Sequence, residues 1–182
     1  GVMTVRREIA DRLPNQSHWF NAAHIRKKLV PAGPDHAQIA ALAGIAHYTD
    51  AVHDHHFADR PGAAARARRV HDLFRAQEQR LTAPLIDYLK ARNDVRVLGS
   101  TDPARRAPTV AIAHARPGED LAKALAPHRI MAGGGDFYAV RLIEALGIDP
   151  DHGVLRLSFL HYTAPSEVER AIAALDRVLS EA

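Results

Sequence analysis

Arg156 stands in the run Val154-Leu155-Arg156-Leu157-Ser158-Phe159-Leu160-His161-Tyr162. A guanidinium there could hold a carboxylate by two parallel hydrogen bonds and so fix the orientation of the molecule that carries it. Taken alone, an arginine in a strand is more readily one half of a surface ion pair. A second chemistry-bearing stretch is Gly133-Gly134-Gly135-Asp136-Phe137-Tyr138-Ala139. Its acid and phenol could hydrogen-bond a substrate, or Asp136 could cap a helix while Tyr138 packs in it. A third is Ala32-Gly33-Pro34-Asp35-His36, a turn and helix cap. His53, Asp54, His55 and His56 cluster, and His53 and His56 share a helical face. A closed metal site needs more ligands at fixed geometry, so the expectation is a helix end in solvent and no metal.

Certain elements must position these residues. Residues 2–5 read as a short strand, Glu8 to Leu13 as a helical turn closed by Pro14, and residues 14–35 as loop. From His36 the spacing becomes helical. Ile39, Leu42, Ala43, Ile45, Ala46, Tyr48 and Val52 form one stripe expected to be buried. Pro61-Gly62 breaks that helix. A longer one follows with Val70, Leu73, Phe74, Leu81, Leu85, Tyr88 and Leu89, bent at Pro84. After Asn93 short strands alternate with helices. Strands are expected at Val95–Leu98, Thr109–His114, around Arg129–Ala132 and at Val154–Leu160. Helices are expected at Gly118–Ala126, Phe137–Leu146 and from Pro165, with Ser166 and Glu169 at capping-box spacing. This predicts an α+β fold: a small, mostly antiparallel sheet with helices on one face, preceded by a helical connector. The divisions are 1–35 as remnant and loop, 36–92 as connector, and 93–182 as the α+β domain.

In order and distance, Arg106-Ala107-Pro108-Thr109-Val110, the Gly133–Ala139 bend and the Val154–Tyr162 strand together resemble the C-terminal part of class V aminotransferases and cysteine desulfurases, which are fold type I pyridoxal-phosphate enzymes. The resemblance implies that Arg156 binds the substrate α-carboxylate and that Asp136 and Tyr138 line the substrate side of the pocket. It implies that Gly33 and His36 face the cofactor phosphate of a partner subunit in a homodimer. Pro34 stands where the family has a threonine. Tyr138 stands where desulfurases carry the persulfide-forming cysteine, so sulfur relay through this loop is not expected. Gly1-Val2-Met3 resembles the strand just after the cofactor lysine. The chain would then begin in mid-protein, and pyridoxal 5'-phosphate would be bound covalently upstream rather than at Lys27 or Lys28. The intact protein would act on a small amino substrate through a Schiff base.

Composition narrows the alternatives. At 182 residues and 47% hydrophobic, the chain can bury one good core. It has no cysteine, which removes disulfides, thiolate metal sites and a thiol nucleophile, and fits a reducing cytoplasm. The longest apolar run, Ile39 to Ala46, is too short to span a bilayer, and these residues show no charged-then-apolar stretch before a cleavage site, so a soluble protein is the expectation. A formal charge of +3 does not point to nucleic acid. The rival reading is a non-catalytic module that binds an acidic partner or RNA through Arg66, Arg68, Arg69, Arg75 and Arg80. Against it, aromatics make up only 5% of the chain, too few for a base-stacking face.

Overall fold

The computed structural model describes residues 3–30 and 35–180, which form two compact units, Gly1–Ala67 and Arg68–Ala182. The expected strand at 2–5 is not formed over residues 3–5, and Val2 lies outside the described residues.

In the first unit, helix α1 (Arg7–Arg12) is followed by two single 3-10 turns, Trp19–Asn21 and Ile25–Lys27, and then by α2 (His36–His56). α2 starts where it does because the Asp35 side chain accepts hydrogen bonds from the backbone N–H groups of Ala37 and Gln38, satisfying two of the donors orphaned at a helix start. Farther along, Asp50 takes both arms of Arg66, at 2.8 and 3.0 Å. The Arg66 hydrogen bond holds the Asp50 carboxyl below the ordinary carboxylate range. The apolar stripe of α2 is not buried: Ile39, Leu42, Ile45 and Tyr48 are exposed, while Val52 is half-buried. Periodicity reports that a face is apolar, not what lies against it, and none of the described residues of the first unit buries this one.

The second unit begins inside α3 (Ala63–Lys90), which continues as a helix through Pro84. β1 (Arg96–Leu98), β2 (Thr109–Ala113), α4 (Gly118–Leu125), β3 (Gly133–Gly135), α5 (Val140–Ala145), β4 (Val154–Ser158) and α6 (Pro165–Ser180) complete it. The four strands form one sheet in the order β1-β2-β4-β3, with every neighbouring pair antiparallel. Alternation sets its two faces. Val110, Ile112, Leu155 and Leu157 are buried and join Leu81, Leu85, Ile86 and Leu89 of α3, Leu121 and Leu125 of α4, and Leu175 and Val178 of α6 in one core. Burying each such side chain contributes about 1.5–3 kcal/mol, enough to hold a sheet this small against its helices.

Three features differ from expectation by more than the last residue or two of an element. The third strand is Gly133–Gly135 rather than 129–132, because Arg129, at φ 61, takes a left-handed turn after α4 and the chain only then comes alongside β4. α5 opens at Val140, not Phe137, because Phe137 and Tyr138 both have positive φ and belong to a turn. The carboxylate at the start of α6 is Glu167, not Glu169. Its Oε2 accepts from the backbone N–H of Ala164 at 2.8 Å, three residues back.

A polar cluster ties the sheet's lower edge to two helices. Arg92 donates to both oxygens of Asp94, at 2.9 and 2.6 Å, and reaches Tyr88 and Asp176. His114 Nδ1 accepts from the Arg116 backbone N–H at 3.0 Å, which leaves the proton of the neutral ring on Nε2, 3.7 Å from Asp94. Burial pushes the His114 pKa below its ordinary 6.5, against the pull of Asp94. The folded chain therefore refuses a proton that the unfolded chain accepts, and stability falls as pH drops below about 6.5, levelling off only beneath the folded pKa. Urea unfolding at pH 7.5 and 5.5 will show this loss reduced in His114→Asn, whose amide oxygen can replace the Nδ1 acceptor. An equal loss in both proteins would contradict it. The Asp94 carboxyl, held low mainly by its Arg92 hydrogen bond, gives a separate loss below about pH 4.

Candidate substrate-binding site

β4 alternates so that Leu155 and Leu157 enter the core and Arg156 and Ser158 stand on the open face. The residues opposite Arg156 on the two neighbouring strands are Ala111 and Gly133. Both are small, so the guanidinium has no bulky cross-strand neighbour on either side. Among the described residues no carboxylate pairs with it. Its aromatic companion is Phe137, with Arg156 Cζ 3.9 Å from the ring centroid, close enough for a cation–π contact.

The turn that presents Phe137 is local. The Ala139 N–H bonds back to the Asp136 carbonyl at 2.9 Å, and Phe137 and Tyr138 between them have φ values of 55 and 58. Asp136 Oδ1 accepts from the Tyr138 N–H at 3.0 Å, the short side-chain bond that makes aspartate a turn residue. Asp136 is half-buried and Tyr138 fully exposed. Two positive-φ residues in sequence that are not glycine cost roughly 1–2 kcal/mol each, so the surroundings must hold this turn.

Two residues on, Ser158 Oγ lies 3.2 Å from Thr109 Oγ1 on the same open face. Arg106, just before β2, donates from Nη1 to the Ser100 carbonyl at 2.5 Å and from Nη2 to the Thr109 carbonyl at 2.7 Å. Burial lowers its pKa, and the contacts make it a clasp for the start of β2. Beyond Ser158, a cleft of about 210 Å³ opens between the end of β4 and α6, with Arg129, Met131, Thr163, Glu167 and Arg170 among its walls.

The other singled-out residues lie elsewhere. Gly33 is outside the described residues. His36, exposed, is the first residue of α2 in the first unit. His53 is buried with its ring 5.0 Å from Phe57, and no group of three or more potential ligands among the described residues could hold a metal ion. The arginines of α3 are partly engaged: Arg66 with Asp50, Arg75 with the Ala104 carbonyl, Arg80 with Gln77. No helix among the described residues is long and apolar enough to cross a membrane.

Comparison with known proteins adds a decisive observation: residues 69–171 match the family model for aminotransferase class-V. The chain belongs to the aminotransferase class-V family. Among this class V chain's relatives is the aminotransferase-like protein FGM3 of Gibberella zeae, 28% identical over 173 residues, which cover 92% of the chain and 40% of the relative. Among solved structures it is similar to the cysteine desulfurase of Thermococcus onnurineus NA1, at 24% identity and a TM-score of 0.56, with 66% of this chain and 30% of that one covered. The cysteine desulfurase CsdA of Escherichia coli gives 25% identity and a TM-score of 0.51, with 66% and 31% covered. The class V chain thus spans 40% of the curated relative and about a third or less of these structures. The family is one of transferases. The α+β fold with its small antiparallel sheet agrees with the sequence expectation.

Sequence reasoning did not single out Phe137 or Ala111. Ala111 could be found only from the register of β2 on β4, and Phe137 only from a turn whose backbone geometry its residue types do not favour.

Proposed function

We propose that this chain is the C-terminal portion of a longer pyridoxal-phosphate-dependent enzyme acting on an amino acid or a related amino substrate, and that Arg156 receives the substrate carboxylate. The observation that carries this is Arg156 itself. It is a guanidinium on an open sheet face, between Ala111 and Gly133, stacked on a ring and without a carboxylate partner among the described residues. Arg66 and Arg92 end on acids and Arg106 on backbone carbonyls, whereas the Arg156 guanidinium meets only the Phe137 ring among the contacts of the described residues. Held by its two in-plane N–H edges, a carboxylate fixes the direction of the neighbouring Cα, and that orientation is what a positioned guanidinium contributes to the reaction. Asp136 and Tyr138 stand at the same turn to border the substrate.

The described residues at the head of α2 do not by themselves make a seat for the cofactor. At the head of α2, the donors a phosphate would use are taken by the Asp35 carboxylate, which would repel it. His36, with its exposed imidazole, is the described residue of that turn left to face a phosphate across a homodimer, and the exposed apolar stripe of α2 is a surface such a partner could cover. Lys28 Nζ donates to the Asp11 carbonyl, Lys123 pairs with Glu119 and Asp120, and Lys27 and Lys90 are exposed. Pyridoxal phosphate, bound outside this chain, supplies the electron sink.

Borohydride reduction of the longer protein loaded with pyridoxal phosphate, followed by peptide mass mapping, tests this division of labour. The reduced adduct is expected outside residues 1–182. A stoichiometric adduct at Lys27, Lys28, Lys90 or Lys123 would overturn it.

A further inference from the structure

We propose that Phe137 is a positioning residue for Arg156, and that Gly133 is glycine so that the ring can lie there. This rests on the reading of Arg156 as the carboxylate receptor. The Phe137 ring meets the Arg156 guanidinium carbon at 3.9 Å from its centroid, while Gly133 is the residue directly opposite Arg156 on β3. A Cβ on Gly133 would sit 2.8 and 3.0 Å from two atoms of that ring, so any larger residue displaces it. The backbone of the Asp136–Ala139 turn holds two non-glycine residues at positive φ, and this turn folds the ring back over the sheet.

The device suits a receptor. Arginine flanked by Ala111 and Gly133 would otherwise sample many rotamers and have to be ordered each time a ligand arrives. A carboxylate partner would order it but occupy the donors the substrate needs. An aromatic ring orders it through one face of the cation and leaves the in-plane N–H groups free. Phe137 thus restricts the guanidinium without neutralising it.

The test uses the longer protein loaded with pyridoxal phosphate, titrated spectroscopically with L-alanine and with ethylamine, which is L-alanine without its carboxyl group. Phe137→Leu is expected to weaken L-alanine binding about fivefold and to leave ethylamine unchanged, while Phe137→Tyr stays within about twofold of the parent. In the Arg156→Ala background, Phe137→Leu should have no further effect on L-alanine. On the 182-residue chain, the Arg156 Nε–H proton resonance should lose its ring-induced shift in Phe137→Leu and keep it in Phe137→Tyr, with thermal melting verifying the fold. If Arg156→Ala binds L-alanine as the parent does, the carboxylate reading itself fails. If Arg156→Ala weakens binding but Phe137→Leu does not, or weakens ethylamine equally, or Phe137→Tyr behaves as Phe137→Leu, the positioning role is overturned and the carboxylate reading stands.

Discussion

In the longer protein, Arg156→Ala will raise the KM for an amino-acid substrate about 100-fold, equivalent to ~3 kcal/mol, while the absorbance of bound pyridoxal phosphate persists. The size follows from losing two charge-assisted hydrogen bonds at once. The cofactor signal persists because no residue near Arg156 in this chain is assigned to hold the cofactor. Arg156→Lys will recover only part of the loss, since an ammonium cannot make the planar two-bond contact. An Arg156→Ala variant with unchanged KM would remove the assignment, and one that loses both substrate and cofactor would make Arg156 a structural residue.

Gly134→Ala is expected to cost at least ~3 kcal/mol, a large share of the stability of a domain this size. A Cβ on Gly134 would land on the backbone carbonyl of Gly118 and on Glu119 Cα, and a Cβ on Gly118 would land in turn on the backbone of Val154. Backbone therefore stacks on backbone from β3 through the first turn of α4 to β4, leaving no flexible side chain to move aside. Gly153 continues the stack, with its φ of 60 and its absent Cβ only 2.6 Å from Gly135 Cα. Because β3 carries Gly133 opposite Arg156, the same tight packing fixes the wall of the candidate site. Gly147→Ala is the control. Its φ of 72 is also positive but nothing lies near it, so only the backbone penalty of about 1 kcal/mol should appear in urea unfolding. Equal losses in the two variants would show that the close approach is not what the glycines of β3 and α4 serve.

What the sequence made readable was whatever depends on neighbours along the chain. The break at Pro61-Gly62, the start of α2 after Asp35 and the alternation of Val154 to Ser158 are local signals, and the structure carries them. β3 was not readable as a strand, because three glycines have no strand propensity. It is a strand because β4 offers it a ladder and α4 tolerates nothing bulkier beside it. The start of α5 misled for a related reason: Phe137 and Tyr138 favour helix or strand, and only the folded turn holds them at positive φ. The stripe of α2 shows the opposite failure. Its apolar pattern is real, but pattern alone could not say that Ile39, Leu42, Ile45 and Tyr48 would be exposed. At the site, Arg156 was legible through its resemblance to a family motif, whereas Phe137 lies 19 positions before it in the sequence. The contact between them exists only after β3 and β4 have paired.

The most direct measurement on the central claim is a cycle of spectroscopic binding constants for L-alanine and ethylamine in the pyridoxal-phosphate-loaded longer protein and in its Arg156→Ala variant. The account predicts that the parent prefers L-alanine and that the variant loses about 100-fold of that preference, with ethylamine binding nearly unchanged. A preference for L-alanine that survives intact in Arg156→Ala would place the carboxylate elsewhere and contradict the account.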